Sequence, residues 1–506
     1  MTNPLYDALF APHLGKQTPF IHVPDGQTLT HDAFSRMSAQ IAGALNAEGL
    51  TAGDRLALQV EKSPEALAVY AACVQKGIIF LPLNTAYTAV ELEYFIDNSG
   101  AKLVICDPGK EDSIAQITAR TGAALMSLGA DSSGSLMRAA STQSETTETT
   151  PRSGDDLAAF LYTSGTTGRS KGAMLSQNNL LSNAQVLKDY WGFSKDDVLL
   201  HALPIFHTHG LFVASNIILL SGGAMIFMRA FNPDTILAEM PRATTMMGVP
   251  TFYTRLLDHD GFTKNAAAHM RLFISGSAPM LSETHGQFEA RTGQRILERY
   301  GMTETNMNTS NPYEGERKAG TVGFPLPGVE LKVCDPENGE ELDQGEIGVL
   351  QVRGPNVFQG YWQMPEKTAE ELREDGFFIT GDLGMIDADG YVQIVGRGKD
   401  LIISGGYNIY PKEIELVIDD QPGVKESAVI GVPHPDFGES PVAVVVPEGD
   451  GPDITQITDA CHVALARFKH PRKIIICDAL PRNTMGKVQK NILRDEHNAL
   501  FANKES

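Results

Sequence analysis

The sequence predicts an α/β protein: a large domain of layered α/β subdomains plus a small β-barrel over residues 1–398, followed by a small α+β domain over 399–506. Three observations carry this expectation. The 506 residues exceed what one hydrophobic core supports, since single cores stop growing near ~250–300 residues. Up to about residue 320, helical stretches such as Glu65–Lys76 alternate with short apolar runs such as Leu103–Cys106 and Ala224–Phe227, the pattern of largely parallel sheets layered with helices. From about Gly320 to Gly396 the texture changes to the β runs VELKVCD, GEIGVLQVRG and GYVQIVG, punctuated by Gly, Pro and Asp, which predicts a small antiparallel barrel or sandwich.

After Lys399 come LIISGG, a helical stretch Pro411–Asp419, and strands at Glu426–Val432 and Val442–Pro447, enough for a separate α+β unit. The segment Ser141–Pro151 (STQSETTETTP) is nearly free of apolar residues and predicts a surface loop. A formal charge of -21 disfavours nucleic acid and anionic membranes as partners, because both require a basic field. An anionic substrate must then be drawn in by a local cationic pocket. The five cysteines (Cys73, Cys106, Cys334, Cys461, Cys477) are scattered among apolar neighbours, as in Ile474–Cys477, and read as reduced core residues. Met1–Phe10 lacks a basic segment followed by an apolar one, and no apolar run approaches the ~18 residues of a membrane span, so the expected compartment is the cytoplasm.

The strongest local signal is YTSGTTGRSKG, Tyr162–Gly172, directly after the apolar run Leu157–Leu161. Glycines permit tight turns, and hydroxyls, amides and two cations suit a polyphosphate. It is not a Walker A loop: Lys171 lies three residues after Gly168 and no Ser or Thr follows it. Three further segments gain meaning jointly. Tyr300–Thr305 (YGMTET) follows the strand-like run Arg295–Arg299, Thr380–Leu383 (TGDL) reads as a Gly/Asp turn, and Gly396–Asp400 (GRGKD) ends the β section. Together they offer an aromatic face for a base and carboxylates for ribose hydroxyls and a magnesium ion. Near the carboxyl end, Pro481–Lys490 (PRNTMGKVQK) is by itself an exposed basic turn, whose lysine reaches a remote site only if the small domain folds back over the large one.

With PIFHTHG, GYWQMPEKT and GRGKDLIISGGYNIYPKEIE, these segments resemble, in order and spacing along nearly the whole chain, the adenylate-forming superfamily of acyl-CoA synthetases, peptide-synthetase adenylation domains and luciferases. One departure is Ser170, where that family usually has proline. The resemblance implies ATP, Mg2+ and coenzyme A as cofactors and a small carboxylic acid as substrate. It places Thr163, Ser164, Gly165, Thr166, Thr167, Gly168 and Lys171 at the ATP phosphates, Tyr300 with Gly301 at adenine, and Asp382 and Arg397 at the ribose. Thr303 would contact phosphate, Glu304 would bind magnesium, and Lys487 would bridge the acyl carboxylate and the α-phosphate. His207 joins this catalytic set, and Gly276, Ser277 and Ala278 border the nucleotide and acyl group.

The family's two half-reactions imply a small domain that moves as a body about Lys399, bringing Lys487 in for adenylation and Ser404, Gly405 and Gly406 in to line the pantetheine tunnel for thioester formation. Only 16 residues follow Lys490, so the expectation is a freestanding coenzyme A ligase without a carrier domain. Substrate choice turns on Arg299, which precedes the adenine tyrosine: a fatty or aromatic acid would leave a buried guanidinium unpaired, whereas a second carboxylate would satisfy it. His207 and His209 add donors, and H-x-H is a weak metal pattern. ERYGMTET most resembles the malonyl-CoA synthetases, so malonate or methylmalonate is expected. The alternatives are a short monocarboxylic or aromatic acid, with Arg299 tied up by Glu298 or Glu304, and a nucleotide-binding sensor that has lost activity. Lys487, in an exposed loop, is also a candidate for a lysine acetyltransferase.

Overall fold

Local rules set the layers of the first sheet. The helix Pro64–Lys76 starts where Ser63 accepts a hydrogen bond from the Ala66 amide at 3.1 Å, with proline at its first position, and stops at Gly77 in the left-handed region. It connects Arg55–Gln59 to Ile79–Pro82, two buried apolar runs that pair in parallel. A computed structural model describes residues 2–24, 26–163, 170–404, 407–435, 437–483 and 486–501.

In the six-stranded sheet these strands lie between Leu103–Cys106 and Ala124–Ser127 on one side and the antiparallel pair Leu157–Thr163 and Lys171–Ser176 on the other. A nine-stranded sheet carries six parallel strands, in the order Leu297–Met302, Leu272–Ser275, Thr245–Gly248, Val198–His201, Ala224–Phe227 and Pro19–His22, with antiparallel strands at both edges. One large cluster of buried side chains, including Tyr70, Trp191 and Phe212, joins the two sheets.

The residues from Glu330 to Arg397 form a four-stranded antiparallel meander. This corrects the expected barrel: the outer strands Glu330–Cys334 and Val392–Arg397 do not pair with each other, and Val392 instead exchanges backbone hydrogen bonds with Val322 and Gly323. It also corrects the reading of Thr380–Leu383 as a turn, because cross-strand pairing of Asp382 with Arg397 holds the segment inside the strand Phe378–Ile386. The glycine and aspartate that suggest a turn locally are overruled by that pairing.

Residues from Ile402 onward make a five-stranded sheet with helices Pro411–Asp419 and Ile454–Ala464, and its apolar clusters draw only on this part of the chain. Four cysteines are buried as expected, but Cys477 is only half-buried at the end of the edge strand Lys473–Ile476. Ser141–Pro151 after the helix Ser135–Ala140 is irregular, as its composition predicts. Among the described residues no helix is long and apolar enough to cross a membrane.

Candidate active site

The strand Leu297–Met302 organises the site, because successive side chains of a strand face opposite sides. Tyr300 faces the meander and donates its hydroxyl to Asp382 Oδ2 at 2.5 Å. Arg397 Nε meets the other oxygen, Oδ1, at 2.6 Å, and the Asp382 amide donates to Thr380 Oγ1 at 3.0 Å. Burial, then the Asp382 charge, holds the Tyr300 phenol well above its ordinary pKa, so it is a donor only. Gly301 must be glycine: a Cβ there would lie 1.9 Å from the Asn306 carbonyl oxygen across the hairpin.

Thr303 and Glu304 occupy the turn of that hairpin, Thr303 half-buried and Glu304 buried. Burial raises the Glu304 pKa, and the nearby Lys171 charge opposes the rise. The Tyr361 hydroxyl stands 3.1 Å from Glu304 Oε1 and 2.6 Å from Glu371 Oε2; with one hydrogen it serves one carboxylate at a time. Lys171 Nζ contacts both Glu371 oxygens at 3.1 and 3.2 Å and lies 4.1 Å from the Tyr361 ring centre. Lys171 pairs with Thr163 across the antiparallel ladder at the end of the sheet. Ser164, Gly165, Thr166, Thr167 and Gly168 lie outside the described residues. Sequence reasoning gave no role to Tyr361 or Glu371. Tyr361 lies in GYWQMPEKT, but Glu371 carries no local signal.

Arg299 faces the other way. It is 4% exposed, and its Nε and Nη2 have no hydrogen-bond partner among the described residues. Glu298 points to the opposite side, where it meets His285 Nδ1 at 3.2 Å, and no carboxylate pairs with Arg299 among the described residues. The alternative that Glu298 or Glu304 ties up Arg299 is therefore corrected. Burial lowers the Arg299 pKa to about 9, still charged at neutral pH. Gly276 makes room for it: a Cβ there would come 2.4 Å from the guanidinium carbon. Burial, and next the Arg299 charge, lowers the pKa of His207 to about 4 and that of His209 well below its ordinary value, so both rings are neutral. His207 Nδ1 accepts from the His209 amide at 3.3 Å, His209 Nδ1 lies 3.3 Å from Ser277 Oγ, and His209 Nε2 has no partner. Ser277 takes a left-handed φ of 72°, and Ala278 beside it is half-buried.

Lys487 is brought to this region by the segment that ends the chain. A Cβ on Gly486 would stand 3.4 Å from Thr251 Oγ1, so the loop rests on the helix Pro250–Leu257. The residue keeps a solvent-exposed face, yet enclosure of its ammonium, followed by the charge of Arg397, lowers its pKa to about 8. Lys399 lies in the short turn Gly398–Asp400, where Arg494 donates to the Lys399 carbonyl at 3.3 Å and pairs with Asp400. Ser404 is buried at the end of a strand, while Gly405 and Gly406 fall outside the described residues. The site thus joins a paired carboxylate–cation half, a buried guanidinium with two nitrogens unpartnered among the described residues, and a lysine near Arg397 and Asp382.

This fold and site define an enzyme that activates a carboxylate with a nucleotide. Two family models match, "AMP-binding enzyme" over residues 12–362 and "AMP-binding enzyme C-terminal domain" over 413–487. The chain belongs to the AMP-binding enzyme family and is an AMP-forming acyl-CoA ligase. It is 34% identical over 480 residues to a malonate–CoA ligase of Arabidopsis thaliana, covering 88% of this chain and 78% of that one. It is 35% identical over 478 residues to a feruloyl-CoA synthase of an Amycolatopsis species, covering 93% and 94%. The ATP-bound crystal structure of MatB from Rhodopseudomonas palustris is 57% identical, covers 99% of this chain and 100% of its own, and superposes with a TM-score of 0.97. The apo structure of MatB, at the same identity and coverage, gives 0.86. Since sequence and coverage are equal, the arrangement found here is nearer to that of the ATP-bound form.

Proposed function

We propose that the chain ligates a small dicarboxylate, malonate or methylmalonate, to coenzyme A. One observation carries this reading: Arg299 is a buried guanidinium with two partnerless nitrogens, flanked by neutral His207 and His209. An uncompensated buried charge costs about 3–5 kcal/mol, and a distal carboxylate meets it with a charge-assisted bidentate pair. Malonate–CoA ligase among the relatives supports the reading. The aromatic acid of the feruloyl-CoA synthase relative would leave the guanidinium unpaired.

In the first half-reaction one carboxylate oxygen of the acid attacks the α-phosphorus of ATP and pyrophosphate leaves. Thr163 to Lys171 and Thr303 hold phosphates, Tyr300 packs on adenine, and Asp382 with Arg397 binds the ribose, trading their present contacts with each other and with Tyr300 for hydroxyls. Lys487 places a cation between acyl carboxylate and α-phosphate as charge develops there. The buried Glu304 carboxylate suits Mg2+, which takes one or two protein carboxylates and fills its shell with phosphate oxygens and water; bound there it would neutralise phosphate charge. In the second half-reaction the coenzyme A thiol attacks the acyl carbon, AMP leaves and the thiol proton passes to solvent. Residues after Lys399 swing to withdraw Lys487 and present Ser404, Gly405 and Gly406, and acetylation of Lys487 by a lysine acetyltransferase would block the first step. Pyrophosphate release measured with malonate, butyrate and benzoate tests the reading: malonate should give the highest kcat/KM, and a preference for benzoate would overturn it.

A further inference from the structure

We propose that Lys62 and His201 together hold one buried positive charge that clamps both ends of the loop carrying His207 and His209, which makes Lys62 a positioning residue for the acid pocket. The proposal rests on the reading of that pocket given above.

Lys62 is buried, and no carboxylate pairs with it among the described residues. Its Nζ lies 2.7 Å from the His201 carbonyl oxygen, 2.8 Å from the Leu203 carbonyl oxygen and 2.9 Å from His201 Nδ1. His201 Nε2 in turn lies 2.9 Å from the Gly210 carbonyl oxygen, which also accepts from Ser215 Oγ at 2.9 Å. Carbonyl oxygens only accept. Three of these contacts therefore each need a hydrogen on nitrogen, and the Nζ to Nδ1 contact needs a fourth. A neutral amine and a neutral imidazole bring three hydrogens in all. The pair must hold one more proton than its neutral form. Burial pushes both groups toward losing a proton, and the three carbonyls, with the face of Phe227 4.2 Å from Nζ, are what the charge has instead of water.

The clamped atoms explain the consequence. Leu203 O lies just before Pro204 and Gly210 O just after His209, so the two bonds grip the loop at its ends. The ends already touch: a Cβ on Gly210 would fall 2.0 Å from the Pro204 carbonyl oxygen. Gly210 is also the second residue of the π-helical stretch His209–Ser215, and its carbonyl is drawn aside by His201 and Ser215. Releasing the clamp would move His207 and His209 relative to Arg299, while Tyr300, Asp382 and Arg397 stand on other elements.

Lys62→Met keeps the apolar stem and removes the hydrogens. In steady-state assays its KM for malonate should rise roughly tenfold or more while its KM for ATP stays within about twofold, because a loop misplaced by about 1 Å weakens only what that loop contacts. An unchanged KM for malonate, or a parallel rise for both substrates, would overturn the clamp. Side-chain 15N NMR of the wild type, with His201 assigned through H201Q, gives a second reading that holds even where K62M does not fold. A protonated Nε2 supports the proposal, and an unprotonated Nε2 opposite Gly210 overturns it. If the wild type prefers another acid, the malonate reading fails by itself, and the KM for that acid tests the clamp.

Discussion

Arg299 and Tyr300 are neighbours on one strand, yet the sides they face are built on opposite plans. On the Tyr300 side the charges come in pairs: Asp382 with Arg397 and Tyr300, Lys171 with Glu371, and Glu371 with Tyr361. On the Arg299 side two guanidinium nitrogens and His209 Nε2 are buried without a partner among the described residues. Paired charges balance their own desolvation and change little in energy when a ligand merely exchanges contacts with them. A buried partnerless cation carries an uncompensated cost that an anion of the right shape removes. On the function proposed, the Tyr300 side would serve any adenylate, and discrimination between acids would reside on the Arg299 side.

The largest expected effect breaks the comparison at Lys487. Lys487→Ala should lower adenylation by about 10²–10³-fold, the loss typical of removing one preorganised donor from developing charge. Thioester formation from supplied malonyl-adenylate should persist; if both steps fell together, the domain movement assigned to residues after Lys399 would be wrong. Next in size is the pH profile. In the proposed adenylation Lys487 would act as a cation, present below its pKa of about 8. Since kcat/KM reports free-enzyme groups, adenylation should be level below that pH and fall about tenfold per unit well above it. A profile level to pH 10 would show that another group carries the charge. The smallest effect concerns the paired side. Glu371→Gln removes the carboxylate that Lys171 would leave to reach phosphate, from a pair whose side chains are 15% and 22% exposed. The KM for ATP should fall by at most about fivefold and that for malonate should not move. A change in malonate KM would show that the two sides are coupled.

Much of this architecture was legible locally. The runs Leu103–Cys106 and Ala224–Phe227 are strands over those very residues, and Pro411–Asp419 is a helix opening on its proline, because short apolar runs between turn residues and proline at the first helical position act within a few residues. Arg299 was singled out by its place before Tyr300, and the structure buries its guanidinium. The strand through Thr380–Leu383 was not, since Gly381 and Asp382 favour a turn and only pairing with Gly396 and Arg397 makes them strand. Glu371 and Lys62 were invisible for a related reason: their partners Lys171 and His201 lie 200 and 139 residues away. Such networks are written in tertiary contact, and no periodicity announces them.

The central claim is that acid choice depends on pairing the Arg299 guanidinium. The direct test is kcat/KM for malonate and butyrate on the wild type and Arg299→Leu, because a loss of folded protein lowers both substrates together. Loss of a charge-assisted bidentate contact worth a few kcal/mol should reduce malonate by about two orders of magnitude or more, while butyrate holds or rises as the uncompensated charge disappears. A parallel fall for malonate and butyrate would contradict the account and make Arg299 structural.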